Sequence, residues 1–333
     1  MSDSTQPASY TFEVPSYPQV YVAVPAQRRP YWLHILLLVT TILTTLVVGA
    51  QLQFNFLHDL PAFDIDTFGY SFLHPSAILH NPRYLLSGIP FCVTLMSILL
   101  AHELGHFVLC ERYGVYATLP YFLPAPIISP IGTFGAVIRI KSPIRSRQAL
   151  FDIGIAGPIA GFLVAMPVLL WGLALSKPST SPDLSSAVNF GYPPIFYLFQ
   201  RLLQPVTHHH VPLNALSLHP VAIAAWVGML ATALNLLPGG QFDGGHIIYA
   251  IAPRAHTLIT RITAVVLIPL GILFWPGWVL WAVILALTGR RHPDVPKWPG
   301  IGNTRMWLAV LSLLILILTF ALTPMRGYGI LTR

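Results

Sequence analysis

The hydrophobic positions of this chain fall in long runs, and polar residues gather between the runs rather than within them. Five runs, 31–49, 85–110, 153–175, 221–237 and 306–322, come close to or exceed the ~20 residues that an α-helix needs to cross a hydrocarbon layer about 30 Å thick. A sixth, 256–289, holds enough residues for two helices, and Trp275, Pro276 and Gly277 at its centre predict a bend. Residues 1–30 are rich in Ser, Pro and Tyr without a sustained apolar period and read as a flexible cytosolic tail. The expected organisation is a tail at 1–30, a transmembrane domain at 31–323 and a short tail at 324–333. The fold class is an all-α polytopic membrane protein of six or seven transmembrane helices.

Charge chooses between the two counts. Arg28 and Arg29 precede the first run, whereas the following loop carries Asp59, Asp64 and Asp66 against Arg83, so the first helix runs from the cytosolic to the outer face. The second helix then returns and ends beside Arg112, Arg139, Lys141, Arg145 and Arg147. A single crossing through 256–289 leaves Arg290, Arg291, Lys297 and Arg305 outside; a hairpin at 275–277 brings them inside, which favours seven crossings.

Composition agrees with a membrane protein. Of 333 residues, 55% are hydrophobic and only 9% charged, and the mean hydropathy is +0.68, too few charges to coat a soluble globule. The formal charge of +7 is absorbed by the cytosolic loops, and no basic stripe with interleaved aromatics points to nucleic acid as a partner. Cys92 and Cys110 share one apolar stretch, so no disulfide framework is indicated. With neither a cleavable signal peptide nor the Ser- and Arg-rich look of a transit peptide, the bacterial cytoplasmic membrane is the expected location.

Two stretches near membrane depth resist a helical reading. Residues 119–140 contain four prolines and then alternate Ala136, Ile138, Ile140 against Val137, Arg139, Lys141, which predicts a re-entrant loop leading into an exposed strand or hairpin. Residues 233–250, ALNLLPGGQFDGGHIIYA, carry Gly239, Gly240, Gly244 and Gly245, which permit an unwound backbone. Irregular backbone survives at that depth only where protein or a water-filled cavity satisfies it. A cavity is implied.

The chemistry sits beside it. In HELGH, at the end of the second run, His102 and His106 stand at i and i+4, so both imidazoles leave one face of a helix and can share an ion that Glu103 can approach through a water. Intramembrane ionisable groups cost several kcal/mol unless paired, metal-bound or facing water. A catalytic zinc needs a third protein ligand and an open fourth position. Asp243, which follows a run directed towards the same face, is the third ligand chosen here; an ordinary loop aspartate is the alternative.

AHELGHF, NLLPGGQFDGG and the Gly/Pro-rich GIAGPIAGF at 154–162, taken together, resemble the site-2 protease family of intramembrane zinc metalloproteases, over a core of roughly residues 85–252. GTFGAVIRIKSPI and GRRHP look most like its subgroup without a PDZ domain, the chloroplast and bacterial relatives of the ethylene-dependent gravitropism-deficient and yellow-green proteins. The resemblance implies one zinc per chain held by His102, His106 and Asp243, with Glu103 as the catalytic glutamate and Asn235 as the asparagine that precedes the aspartate motif. Asn235 is then a candidate to hold substrate backbone or an oxyanion, and Gly135 and Val137 lie on the strand that would receive an unwound substrate. The substrates implied are single-span membrane proteins already trimmed by another protease. Phe242 stands where the family writes Leu, a change expected to alter packing and spare ligation.

Neighbouring features have plainer readings. Gly154, Gly157 and Gly161 are spaced for close helix packing, His246 is a structural residue before it is a partner to a metal ligand, and His208, His209 and His210 are solvated loop residues. Cys110 reads as a small buried hydrophobe. Against the protease stand a polytopic carrier or channel, which predicts indifference to chelators and tolerance of Glu103→Gln, and a non-proteolytic scaffold, which has no need of the full His, Glu and Asp set.

Overall fold

The computed structural model describes residues 31–63, 82–126, 129–179, 190–207, 211–289, 295, 296, 300–326, 330 and 331. The expected tail at 1–30, Asp64, Asp66, the histidines at 208–210 and Arg290, Arg291 and Lys297 lie outside the described residues. From Trp32 onward the chain forms one unit.

Helices account for most of it, joined by two small antiparallel pairs of strands among the described residues. The apolar runs become α1 (Tyr31–Leu57), α2 (Ile89–Arg112, entered through a 3-10 turn at Pro82–Gly88), α3 (Arg147–Leu175), α5 (Pro220–Asn235) and α9 (Asn303–Thr319). Between α5 and α9 lie a short α6 (Asp243–Ile251), then α7 (His256–Leu273) and α8 (Gly277–Thr288). Among the described residues four stretches, Tyr31–Leu57, Arg83–Arg112, Arg147–Leu175 and His256–Leu273, are long and apolar enough to cross a membrane, while α5, α8 and α9 are apolar but shorter.

The 256–289 run divides into two helices where Pro276 and Gly277 interrupt it, as expected. α5 has 16 residues, a rise of about 24 Å, and nearly every side chain on it is buried against α2, α3 and α9. A helix sheathed by protein has no lipid thickness to match, which accounts for its length.

Sequence periodicity missed α4 (Pro194–Thr207). It buries Ile195, Phe196 and Phe199 and exposes Tyr197, Leu198, Arg201 and Leu202, so it is neither apolar all round nor long enough to register as a span.

The bundle has two distinguishable ends. At one, Lys177 after α3 pairs with Asp59 after α1 at 2.7 Å, and Trp278 at the start of α8 donates to the Leu322 carbonyl beyond α9 at 2.8 Å. At the other, Arg305 at the start of α9 grips Asp152 near the start of α3 through Nε and Nη2, at 2.8 and 2.7 Å. Tyr113, which follows α2, joins the same group. Thr260 in α7 lies against Gly289 just past α8. Successive long elements therefore alternate in direction, and α7 and α8 form a hairpin.

The expected strand is present. β1 (Tyr121–Pro124) pairs antiparallel with β2 (Thr133–Val137) in the register Tyr121 with Val137 and Phe122 with Ala136, and Ala117 bridges to Ile140 beyond it. Regular pairing stops at Val137, short of the expected Lys141. Gly132, at φ +78, closes this hairpin against Thr44: the Thr44 hydroxyl donates to the Gly132 carbonyl at 2.8 Å. Thr44 is midway along α1, so the turn reaches the middle of a candidate span, where that hydroxyl adds a second bond to a carbonyl that already accepts from the Ala125 N–H at 3.0 Å. The second pair, β3 (Lys177–Pro178) with β4 (Leu216–Ser217), closes the opposite end of the bundle.

Candidate metal centre

His102 and His106 project from the last turns of α2 into the space between α3, α5 and α6. Asp243 enters from the other side, and its place differs from the expected loop: it is the first residue of α6. The turn 236–242 reverses the chain after α5 and presents the carboxylate at a helix N-terminus, where the backbone dipole favours negative charge. The turn depends on glycine at two positions, since Gly239 and Gly240 take φ +151 and +61.

The ligand atoms converge. His102 Nε2 and His106 Nε2 lie 3.1 and 3.3 Å from Asp243 Oδ2 and 3.2 Å from each other. Donors of a tetrahedral zinc with bonds of about 2.0–2.2 Å stand roughly 3.3–3.6 Å apart, so this near-equilateral triangle already has almost the right edge. The chemistry of the donors fits as well. His106 Nδ1 lies 2.7 Å from the Ile153 carbonyl; a carbonyl only accepts, so Nδ1 carries the proton and Nε2 is left with its lone pair directed at the triangle. With the Asp243 carboxylate and His102 Nε2 completing the triangle, the donor set fits a shared cation. His102, Glu103 and His106 are buried, and the Asp243 side chain is 14% exposed, so water does not compete for them freely.

Glu103, on the turn between the two histidines, is buried, with the backbone of Ile138, just past β2, among its polar surroundings. Asn235, the last residue of α5, places its amide nitrogen 3.2 Å from His102 Nε2, beside the triangle. Gly135 and Val137 are on β2 and not in the triangle; Gly135 has φ +99 and faces Leu99 of α2, one turn before His102.

The glycines of α3 do more than their spacing indicated. A methyl on Gly157 would fall 2.1 Å from His106 Nε2, and one on Gly161 would fall 3.2 Å from His102 Cβ and Nδ1. A methyl on Gly154 would fall 3.1 Å from the His246 Cβ, so His246 packs on α3 one turn after Asp243. α3 is the floor on which the ligands rest. Cys110 is fully buried with Val115, Ala117 and Ile153, as a small hydrophobe would be.

Two groups that sequence reading passed over hold the frame. Arg147, at the start of α3, donates from Nε and Nη2 to the carbonyls of Ala250 and Ile251 at 2.6 and 2.8 Å, so its guanidinium caps the C-terminal end of the helix that Asp243 begins. Asp152, held by Arg305, immediately precedes the Ile153 whose carbonyl orients His106. Arginines flanking apolar runs were legible as topology signals, but their partners are remote in sequence.

The arrangement defines a class: a polytopic membrane protein with a buried two-histidine, one-carboxylate centre and a glutamate beside it. Residues 90–275, more than half of the chain, match the profile of peptidase family M50, and the chain belongs to that family, the site-2 proteases. It is 27% identical over 299 residues to the probable zinc metalloprotease EGY1, chloroplastic, of Arabidopsis thaliana, covering 86% of this chain and 53% of that protein. To EGY2 of the same plant, named in the same way, it is 29% identical over 244 residues, 72% of this chain and 41% of the relative. To the probable zinc metallopeptidase EGY3, chloroplastic, the figures are 25% over 264 residues, 75% and 45%. The chain thus spans about half the length of the curated relatives it matches.

Proposed function

We propose that this chain is an intramembrane zinc endopeptidase. The observation that carries the reading is the triangle of His102 Nε2, His106 Nε2 and Asp243 Oδ2 with Glu103 next to it. These three residues would hold zinc, which supplies an activated water and polarises the scissile carbonyl. Glu103 accepts the proton of the attacking water and returns it to the amine nitrogen as the C–N bond breaks. Asn235 offers an amide donor within one hydrogen bond of the ligands, suited to a substrate carbonyl or the oxyanion formed from it.

A transmembrane substrate hides its carbonyls in helical hydrogen bonds and has to unwind first. β2 is half of a two-stranded sheet, so an extended substrate segment laid along Gly135 and Val137 regains backbone partners by strand addition, and Ile138, the residue after that strand, lies in the polar surroundings of Glu103. Substrates of this kind are single-span membrane proteins shortened by an earlier cleavage. The alternating directions of α1, α2, α3, α5, α7, α8 and α9 support seven crossings, with the arginine-bearing end of the bundle, and the metal centre near it, on the cytosolic side. For the compartment, a bacterial cytoplasmic membrane stands against relatives whose names are chloroplastic; fractionation of the source cells decides between them.

The test is zinc per chain in the detergent-purified protein beside Asp243→Asn, with cleavage of a single-span reporter measured in parallel. About one zinc and a cleaved reporter in the parent, with both lost in the variant, is the expected result. A well-folded, zinc-supplemented parent that holds none overturns the proposal and redirects the search to transport.

A further inference from the structure

α7 is apolar along most of its length, yet His256, Thr260 and Thr263 stand at i, i+4 and i+7 on one face of it. All three reach the same short piece of backbone. His256 Nε2 donates to the Gly240 carbonyl at 3.0 Å, the Gly240 N–H donates to the Thr260 hydroxyl oxygen at 3.1 Å, and the Thr263 hydroxyl donates to the Pro238 carbonyl at 2.8 Å. His256 and Thr260 are 2% and 3% exposed, so water does not substitute for them.

That backbone is the turn which carries Asp243. The turn leaves α5 at Asn235, within 3.2 Å of His102, and enters α6 at Asp243, within 3.1 Å of the same histidine, so both of its ends are at the metal centre. Its inner side admits no slack: a methyl on Gly244 would lie 2.3 Å from the Leu236 carbonyl oxygen, and one on Gly245 would lie 2.4 Å from that of Gly239. Its outer side rests on the base of the α7–α8 hairpin, where a methyl on Gly240 would meet the Thr288 hydroxyl at 2.7 Å. The path of 236–242 is therefore set from within by glycine packing and from without by α7, and the position of the carboxylate follows from that path.

We infer that His256, Thr260 and Thr263 are positioning residues for the third metal ligand, and that docking of the α7–α8 hairpin against the 238–240 turn sets the affinity of the centre for its metal. This rests on the metalloprotease reading and extends it. Partners that orient metal ligands contribute about 10- to 100-fold in metal affinity, although these act one step further out, through the backbone.

The experiment compares zinc affinity of the full-length, detergent-purified chain by competition with a chromophoric chelator, and the visible spectrum after cobalt substitution, in the parent, Thr260→Val, Thr260→Ser, His256→Phe and Thr257→Val. Thr260→Val keeps the shape and removes the hydroxyl. Thr257 is exposed on the same helix, so its variant controls for the chemical change. Each protein is first checked for a monodisperse profile and parental helicity.

The expected result is a 10- to 100-fold weaker hold on zinc and a shifted cobalt spectrum in Thr260→Val and His256→Phe, restoration in Thr260→Ser, and parental behaviour in Thr257→Val. Zinc affinity in folded Thr260→Val within twofold of the parent overturns the inference and leaves the metalloprotease reading standing, as does a Thr260→Ser variant as weak as Thr260→Val. A parent that binds no zinc overturns both.

Discussion

Gly157→Ala tests the structure of the centre most sharply. The added methyl would lie 2.1 Å from His106 Nε2 and 2.5 and 2.6 Å from the Cδ2 and Cε1 beside it, more than 1 Å inside ordinary van der Waals contact. The ring has no easy retreat, because its Nδ1 is tied at 2.7 Å to the carbonyl of Ile153, one turn earlier on the same α3. The helices cannot separate cheaply either: where they cross, a methyl on Gly105 of α2 would already lie 2.5 Å from the Ala156 carbonyl oxygen. Either α3 moves off α2 or the imidazole rotates and leaves the triangle. Overpacking of this kind costs about 1–3 kcal/mol of stability, and a reacting group misplaced by about 1 Å can cost ~100-fold in rate. Gly161→Ala is the internal control, since its methyl meets His102 at 3.2 Å, a contact relieved by a few tenths of an ångström. Zinc content, zinc affinity and reporter cleavage in the purified variants should fall at least 100-fold for Gly157→Ala and less than tenfold for Gly161→Ala. Equal effects of the two, in proteins of parental helicity, would refute the placement of α3 beneath the histidines.

Glu103→Gln should keep about one zinc per chain while cleavage falls by a factor on the order of 10² to 10⁴, as loss of a general base requires; loss of zinc along with activity would mean that Glu103 holds the metal or the fold instead. Gly135→Pro removes a strand amide and a φ of +99 that proline cannot adopt, so cleavage should drop well before zinc content does, and a matched fall in both would argue against substrate strand addition. Arg147→Met removes two charge-assisted bonds to the end of α6, so thermal unfolding in detergent should show a loss on the order of 2 kcal/mol; zinc should also dissociate faster, and an unchanged transition would show that α6 needs no cap.

How much of this was legible in the sequence follows the range over which each feature is encoded. HELGH is local: two imidazoles on one helical face follow from i, i+4 spacing alone, and their place at the end of an apolar run marks them as more than packing. Asp243 was legible as a lone acid in a glycine-rich segment at the right face, but its place at the head of α6 was not, because the reversal through 236–242 depends on α7 and α8 packing around it. The division of 256–289 was written in Pro276 and Gly277. α4 was missed because 14 residues with one buried stripe carry neither the length of a span nor a cap that would announce them. The glycines at 154, 157 and 161 announced a close approach without naming what approached, and the polar face of α7 was visible as spacing without its target. Contacts between elements far apart in sequence are where local reading ends.

The same distinction explains how a charged centre can sit inside an apolar bundle. Each ionisable group here would cost several kcal/mol at membrane depth if left alone, and the ligands are not: His106 is bonded through Nδ1 to the Ile153 carbonyl, and Asp243 stands in one triangle with both histidines, placed to share a cation. Around them lie a strand hairpin that reaches mid-span, a helix with Gly154, Gly157 and Gly161 turned to the centre, and a turn held by three side chains of α7. Irregularity at that depth is stable only because each irregular segment is tied to a regular one, the hairpin to Thr44 of α1, the turn to α7 and the end of α6 to Arg147 of α3. The ties therefore belong to the chemistry as much as the ligands do. Removing a tie should loosen the metal without touching any atom that binds it, whereas removing a span-facing residue of the same helix should not.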